Sequence, residues 1–341
     1  MNDTIYDHYI AIDWADKNMA IARMTKKSNK ISVIDVPSDP EELKFYLKQL
    51  KGSKVLTIEE TTTSQWLYTE LKSHVDKLIV CDPHRNKLLN EGPKNDKIDA
   101  SKLVQLLKAE LLKEVYHSND EFIQLRRLVS GYDDLVKSGV RLKNQRSSLL
   151  RACGQKKSKQ EIEKLGSRNE DYVLASLNRQ ISAYEEEKAG YEKEFKHLAQ
   201  KHPAIRHQKS IPGIGPINAI KIVAQVVSPY RFVKTGHYWS YTGLIKHEKI
   251  SGQKSYGKRT PRYCRRLKEV YKTSVKAAIG GNNPINDYYQ HLLKEKGLPE
   301  YKARHKACRR LATLSLGVFK SGQQYQPYKR DTATKTKQSG L

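Results

Sequence analysis

The tightest constraint on the fold lies between residues 8 and 60, where apolar runs of strand length end in acids. His8-Tyr9-Ile10-Ala11-Ile12-Asp13 is the first. Met19-Ala20-Ile21-Ala22-Arg23-Met24 and Ile31-Ser32-Val33-Ile34-Asp35-Val36 follow after polar, turn-like stretches, so the three predict a meander. Ser38-Asp39-Pro40-Glu41-Glu42 has the features of a helix start, and that helix is expected to run to about Leu50. Lys54-Val55-Leu56-Thr57-Ile58 then reads as a buried strand ending at Glu59-Glu60. A helix from about Ser64, a strand at Leu78-Ile79-Val80-Cys81 and two further helical stretches are expected to complete a domain near residue 115.

That element order, three strands and then helices alternating with strands, is the order of an RNase H-like fold. The expected architecture is therefore an α/β RNase H-like domain over 1–115. In such a fold Asp13, Glu59, Asp96 and Asp99 converge at one edge of the sheet. Asp96 and Asp99 stand three apart at a helix start, so both project from one face. Alone, each acid has an ordinary explanation: a strand-end aspartate is commonly a cap or a surface charge, and acids are favoured at helix N-termini by the dipole. Together they repel one another unless cations sit between them, and hard oxygen donors select Mg²⁺ or Mn²⁺. A pair of such ions about 4 Å apart can activate a nucleophile and stabilise the departing oxygen of a phosphodiester. Glu60 competes with Glu59. Strand alternation puts Glu59 on the face of Val55 and Thr57, which favours it.

Charge names the class of partner. The net charge is +26 over 341 residues, and it is graded along the chain. Residues 1–115 carry 18 basic and 18 acidic side chains, residues 116–230 carry 20 and 13, and residues 231–341 carry 25 and 6. A polyanion lying against the last third accounts for that gradient, because each neutralised phosphate releases counterions. No run approaches the roughly 20 apolar residues of a spanning helix, and the start, Met1-Asn2-Asp3, has no signal-peptide pattern. Cys81, Cys153, Cys264 and Cys308 are scattered without CxxC pairing, which suits a reducing cytosol and argues against zinc. The expected location is cytoplasmic and nucleoid-associated.

The middle, 116–203, is expected to be a helical connector. Leu125, Leu128, Tyr132, Leu135, Gly139, Leu142, Arg146 and Leu149 alternate steps of three and four, as do Leu174, Leu177, Ile181, Tyr184, Lys188, Tyr191, Phe195 and Leu198. Both runs have coiled-coil spacing. The polar linker from Gly154 to Lys159 allows an antiparallel hairpin or two segments of a dimer; the interruptions at Gly139, Arg146 and Lys188 favour dimerisation through a specified register. From 204 to 328 a mainly α-helical domain is expected, opening with the turn Ser210-Ile211-Pro212-Gly213-Ile214-Gly215-Pro216 and a helix to about Val227. The tail, 329–341, reads as disordered and basic.

Ile12-Asp13, Ile58-Glu59-Glu60-Thr61, Asn95-Asp96-Lys97-Ile98-Asp99-Ala100 and Ser210-Ile211-Pro212-Gly213-Ile214-Gly215 resemble, in this order, the motifs of the DEDD transposases. That insertion-sequence family includes the Piv-type DNA invertases and the bridge-RNA-guided recombinases. The resemblance covers about residues 8–325. Its most specific pieces are Asp-x-x-Asp-Ala and Ile-Pro-Gly-Ile-Gly, the latter shared with many helix-hairpin-helix DNA binders. It implies a RuvC-like domain joined by a coiled coil to a C-terminal transposase domain, with Asp13, Glu59, Asp96 and Asp99 as the metal-binding tetrad. It also implies a serine nucleophile that forms a transient phosphoserine bond to DNA, at the position of Ser251. Members often have Glu-Ala-Thr-Gly where this chain has Glu59-Glu60-Thr61-Thr62, which leaves the choice of glutamate open.

The residues add a separate argument for Ser251. A serine followed by glycine in a loop lets a phosphate approach backbone amides closely. Lys254, Lys258, Arg259, Arg262, Arg265 and Arg266 follow and can stabilise a phosphoryl transition state. Ser255 is its rival, and His247 is a lone loop histidine that need have no role. The metal-bound carboxylates are the expected activators. Arg259 to Lys268 reads as the opening of a cationic helix, and Arg304, Lys306, Arg309 and Arg310 repeat the pattern later. Tyr256, Tyr263 and Tyr271 interleave and can stack bases or pack on sugars. The expected partners are donor and target DNA, a guide RNA implied by the resemblance, and further copies of the chain as a dimer or tetramer. Two other functions fit less of the pattern: a metal-dependent junction nuclease that uses water, and a non-catalytic nucleic-acid-binding protein.

Overall fold

A computed structural model describes residues 5–83, 95–117, 121–155 and 164–327. The tail expected over 329–341 and most of the polar linker after Gly154 lie outside them. The chain divides into two units, Met1–Asn119 and Asp120–Leu341.

The first unit is a mixed α/β layer structure. Its strands are β1 (His8–Trp14), β2 (Asn18–Thr25), β3 (Ser28–Pro37), β4 (Lys54–Glu59), β5 (Lys77–Cys81) and β6 (Glu114–Val115), in the spatial order β3-β2-β1-β4-β5-β6. The meander β1-β2-β3 is antiparallel, β1, β4 and β5 run parallel, and β6 closes the sheet antiparallel. Among the described residues three α-helices cover it: α1 (Pro40–Gln49), α2 (Ser64–Leu71) and α3 (Asp96–Lys108). Each helix start has a local cause. Asp39 caps α1 by accepting from the Glu41 amide, with Pro40 in the first turn; Asn95 caps α3 by accepting from the Lys97 amide.

Strand alternation splits the core into two faces. Ile10, Ile12, Ile21, Leu56, Ile58 and Val80 pack with Leu43 and Leu47 of α1 and Leu67 and Leu71 of α2. Tyr9, Ala11, Ala20, Ala22 and Val55 pack with Ala100, Leu103, Val104 and Leu107 of α3. The alanines matter, because small side chains let α3 lie close to the sheet. Only one of the two helical stretches expected after β5 is among the described residues, and the domain closes with the strand β6 instead. Two residues are too few to show a period.

The second unit is mainly helical. Its helices are α4 (Phe122–Ala152), α5 (Arg168–Lys201), α6 (Pro203–Lys209), α7 (Pro216–Val226), α8 (Thr235–Tyr241), α9 (Arg265–Ala278), α10 (Pro284–Lys294) and α11 (Glu300–Ser321), with one hairpin, β7 (His247–Ser251) and β8 (Lys254–Arg259). Helices α4 and α5 pack antiparallel within the chain. The Tyr132 ring meets Phe195 edge-on at 5.1 Å, its hydroxyl donates to Glu192 at 3.0 Å, and Lys143 pairs with Glu185 at 2.8 Å. Gly139, an interruption of the apolar repeat, is where the Tyr184 ring lies across α4; any Cβ there would strike the ring.

The base of this pair joins the main core, where Leu125, Val129, Phe195 and Ala199 pack with α7, α9 and α11. The turn before α7 depends on Gly213. Its φ is +84°, and a Cβ would collide with the Ser274 carbonyl and lie 2.7 Å from the Ala278 side chain. A buried hydrogen-bond chain crosses the core. Tyr238 and Tyr271 share a 2.5 Å bond, Tyr271 donates to Ser315 Oγ at 2.8 Å, and Ser315 donates to Gln208 Oε1 at 2.7 Å.

Candidate functional site

Three parallel strands deliver their carboxyl ends to one edge of the sheet, where open α/β sheets bind ligands. Asp13 is the next-to-last residue of β1 and Glu59 the last of β4; the two strands pair in register through Ile12 and Ile58. Alternation places both acids on the α3 face, Asp13 after Ala11 and Glu59 after Val55 and Thr57. Glu60 follows the strand end and is exposed, its amide donating to the Cys81 carbonyl. Helix α3 brings Asp96 and Asp99 to the same edge in its first turn.

Asp13, Asp96 and Asp99 lie within electrostatic reach of one another, and Glu59 stands beside Asp13 by strand register. Burial pushes the Asp13 carboxyl up to about 6, and the negative charges of Asp96 and Asp99 push in the same direction. Asp99 is half-buried, and its Oδ1 is enclosed with no hydrogen-bond partner. A buried carboxylate oxygen facing other acids is costly unless something positive answers it. Among the described residues no three Asp, Glu, His or Cys side chains stand close enough to chelate one ion as they are. The acids gather without closing. Their hard-oxygen chemistry, the orphaned Asp99 oxygen and the repulsion on Asp13 fit a divalent cation as the missing partner.

One acid at this edge was not singled out from the sequence. Asp82 directly follows β5, is 5% exposed, and sits one residue beyond the partner of Glu59. The signal was available, since Leu78-Ile79-Val80-Cys81-Asp82 is another apolar run ending in an acid.

In the second unit Ser251 is not in a loop but is the last residue of β7. Gly252 and Gln253 have φ of +54° and +64°, the two left-handed residues of a tight hairpin turn whose twist matches its strands. Lys254 pairs with Ser251 across it. Every residue of both strands is exposed. β8 is bulged at Tyr256-Gly257, where Gly257 has a φ of +90° and the register shifts, so alternation breaks there: Lys254 stands opposite Ser251, while Lys258 stands opposite Glu248. Ser255 Oγ donates to Glu248 Oε1 at 2.8 Å, and His247 Nε2 lies 3.1 Å from Ser240 Oγ.

The cationic helix starts later than expected, at Arg265, with Cys264 extended as its cap. Pro261 holds Thr260 out of helical geometry, which bars a start at Arg259, and the chain stays extended through Cys264. Arg262, Arg265 and Arg310 are exposed, while Arg309 lies 5.7 Å over the Trp239 ring. Arg266 has a different position. Its Nε bonds Asp133 of α4 at 2.5 Å, Lys221 of α7 bonds the same carboxylate at 2.6 Å, and all three are largely buried. This triad ties α4, α7 and α9 together.

The two halves define a transposase class. Residues 10–154 match a family model described as a transposase, of the DEDD type, and residues 206–290 match the model of the transposase IS116/IS110/IS902 family. The chain belongs to this family of insertion-element transposases. It is similar to an uncharacterised 43.6 kDa protein of insertion element IS110 from Streptomyces coelicolor, at 26% identity over 46% of this chain and 38% of the relative. It is also similar to the transposase for insertion sequence element IS1111A of Coxiella burnetii, at 24% identity over 56% of each chain. A protein of insertion element IS116 from Streptomyces clavuligerus is 26% identical over 39% of this chain and 33% of its own. The chain thus spans between a third and somewhat over half of these relatives. Among the described residues no helix is long and apolar enough to cross a membrane.

Proposed function

We propose that the chain is the transposase of an insertion element, a site-specific DNA recombinase that cuts and rejoins DNA through a serine. The observation that carries this reading is the gathering of Asp13, Asp96 and Asp99, with Glu59 alongside, around an unanswered buried carboxylate oxygen. The strand order, with an antiparallel meander beside three parallel strands, supports a RuvC-like assignment of the first unit. Asp13, Glu59, Asp96 and Asp99 are the residues to hold Mg²⁺ or Mn²⁺. Such an ion supplies Lewis-acid stabilisation of the charge that develops on phosphoryl oxygens.

The Ser251 oxygen attacks phosphorus to form the phosphoserine bond, the ester bond from phosphorus to one deoxyribose oxygen breaks, and that oxygen leaves as a hydroxyl with the proton the serine gives up. Attack by the incoming strand's hydroxyl reverses these bonds and frees the serine, so no external energy source is needed. Lys254, Lys258, Arg259, Arg262, Arg265, Arg309 and Arg310 bind the backbone; Arg266 acts by holding α9 in place. The α4–α5 pair is the coiled-coil connector. Family resemblance adds a structured guide RNA, which leaves sequence choice to base pairing, and an assembly of two or four copies.

The test is a recombination assay on the element's own ends. Ser251→Ala and Asp99→Asn should each abolish strand exchange, and a DNA–protein adduct should map to Ser251. Ser255 is the alternative, favoured by its bond to Glu248; an adduct at Ser255, lost in Ser255→Ala, would move the nucleophile there. Cleavage that survives both alanine substitutions would make the protein a nuclease that uses water.

A further inference from the structure

A concave surface of the C-terminal unit lies between α9 and α11, with a volume of about 480 Å³, a size usual for small-ligand sites. Leu244, Val275 and Cys308 form apolar walls, and Lys268, Lys272, Lys276, Arg304 and His305 add nitrogen around them. The lysines recur every fourth residue of α9, so they form one row, each about 6 Å from the next along the axis. Among the described residues lining the cavity the one acid is Glu300, and it is bonded to the Arg304 guanidinium. Tyr301, in the first turn of α11, is 69% exposed at the same cavity, with Lys302 Nζ 5.9 Å from its ring centroid.

The field here is positive throughout. Burial holds the His305 imidazole below its ordinary pKa, and Arg309, Lys268, Lys272 and Lys246 act in the same direction. Glu300, the one acid among the described lining residues, answers Arg304, which leaves the lysine row as the cavity's excess charge. The Cys308 thiol, pushed up to about 11 by burial, stays protonated at neutral pH and is neither a nucleophile nor a metal ligand.

An apolar recess with an open aromatic ring and a row of cations matches one flat heterocycle joined to phosphates. A duplex presents phosphates but keeps its bases stacked inside, so it cannot fill the recess. We infer that the α9–α11 cavity takes one unstacked nucleotide of a single-stranded segment. The base packs on Tyr301 and the apolar walls, and the flanking phosphates lie along Lys268, Lys272 and Lys276. This rests on the nucleic-acid reading above and adds where a single strand is gripped.

The test is anisotropy titration of the full-length protein with fluorescein-labelled oligo(dT), oligo(U) and a short DNA duplex. Tyr301→Ala should weaken single-strand binding roughly 5- to 150-fold, the range for stacking one base, and leave duplex binding unchanged. Tyr301→Phe should retain it. Lys272→Gln with Lys276→Gln should lower the single-strand salt slope by about 1.4, close to 0.7 for each phosphate contact. Loss for oligo(dT) alone assigns the cavity to a DNA strand, loss for oligo(U) alone to RNA, and loss for both to either sugar; all three support the inference. Unchanged single-strand binding by Tyr301→Ala, or equal loss for duplex and single strands, overturns it while the recombinase reading stands. Failure of the unsubstituted protein to bind any of the three probes overturns both.

Discussion

Asp13→Asn should stabilise the N-terminal unit when no divalent cation is present. In the folded protein the Asp13 carboxyl titrates at about 6, against 3.8 for the free group, because burial and the charges of Asp96 and Asp99 disfavour its ionised form. The sign follows directly. Below about pH 4 the carboxyl is neutral in both folded and unfolded chains and opposes nothing. As pH rises through 6, ionisation removes stability that the neutral form retained. A displacement of that size corresponds to roughly 3 kcal/mol for a fully desolvated group. Asp13 is half-buried, and solvent screening brings the expected effect down to about 1–2 kcal/mol. For a unit of this length that is a rise in Tm of about 3–10 °C. The assay is thermal denaturation followed by circular dichroism at pH 8 and pH 4.5 in EDTA, then at pH 8 with Mn²⁺. The asparagine variant should melt higher at pH 8 in EDTA and gain much less at pH 4.5. Mn²⁺ should raise the Tm of the unsubstituted protein more than that of the variant, since binding to the folded state alone stabilises by mass action. A variant that melts lower at pH 8 in EDTA, or an Mn²⁺ response identical in both proteins, would refute the reasoning.

Three further outcomes are expected. Gly139→Ala should destabilise the α4–α5 pair by about 1–3 kcal/mol in urea titration, because the added methyl overpacks against the Tyr184 ring. Arg266→Ala should lower stability by a few kcal/mol, since it breaks up a largely buried triad with Asp133 and Lys221. Lys258→Gln, on an exposed strand, should leave the melting curve unchanged and lower the slope of log affinity for duplex DNA against log salt by about 0.9.

The N-terminal unit was legible because its signals are local. The apolar run of β1, strand alternation at β4 and the three-residue spacing of Asp96 and Asp99 depend on neighbours in sequence. The hairpin was not, because β7 and β8 bury nothing; with all their residues exposed, no alternation of apolar and polar marks them as strands. The partners of Gly139 and Arg266 were also hidden. Tyr184 and Asp133 lie far away in the chain, and neither helical spacing nor charge composition specifies which side chain crosses to meet them. Arg266 reads as one more cation in a basic run until Asp133 is seen beneath it.

The bareness of the hairpin has a consequence for timing. Two short strands without a third strand or a hydrophobic backing are at best marginally stable in water. The Ser251 hydroxyl is thus mounted on an exposed element with no apolar backing of its own among the described residues. On the reading proposed for Ser251, its orientation is completed from outside, by a phosphate lying along the neighbouring Lys254. If Ser251 is the nucleophile proposed above, a hydroxyl carried this way is positioned only once its substrate is bound, which ties reactivity to recognition.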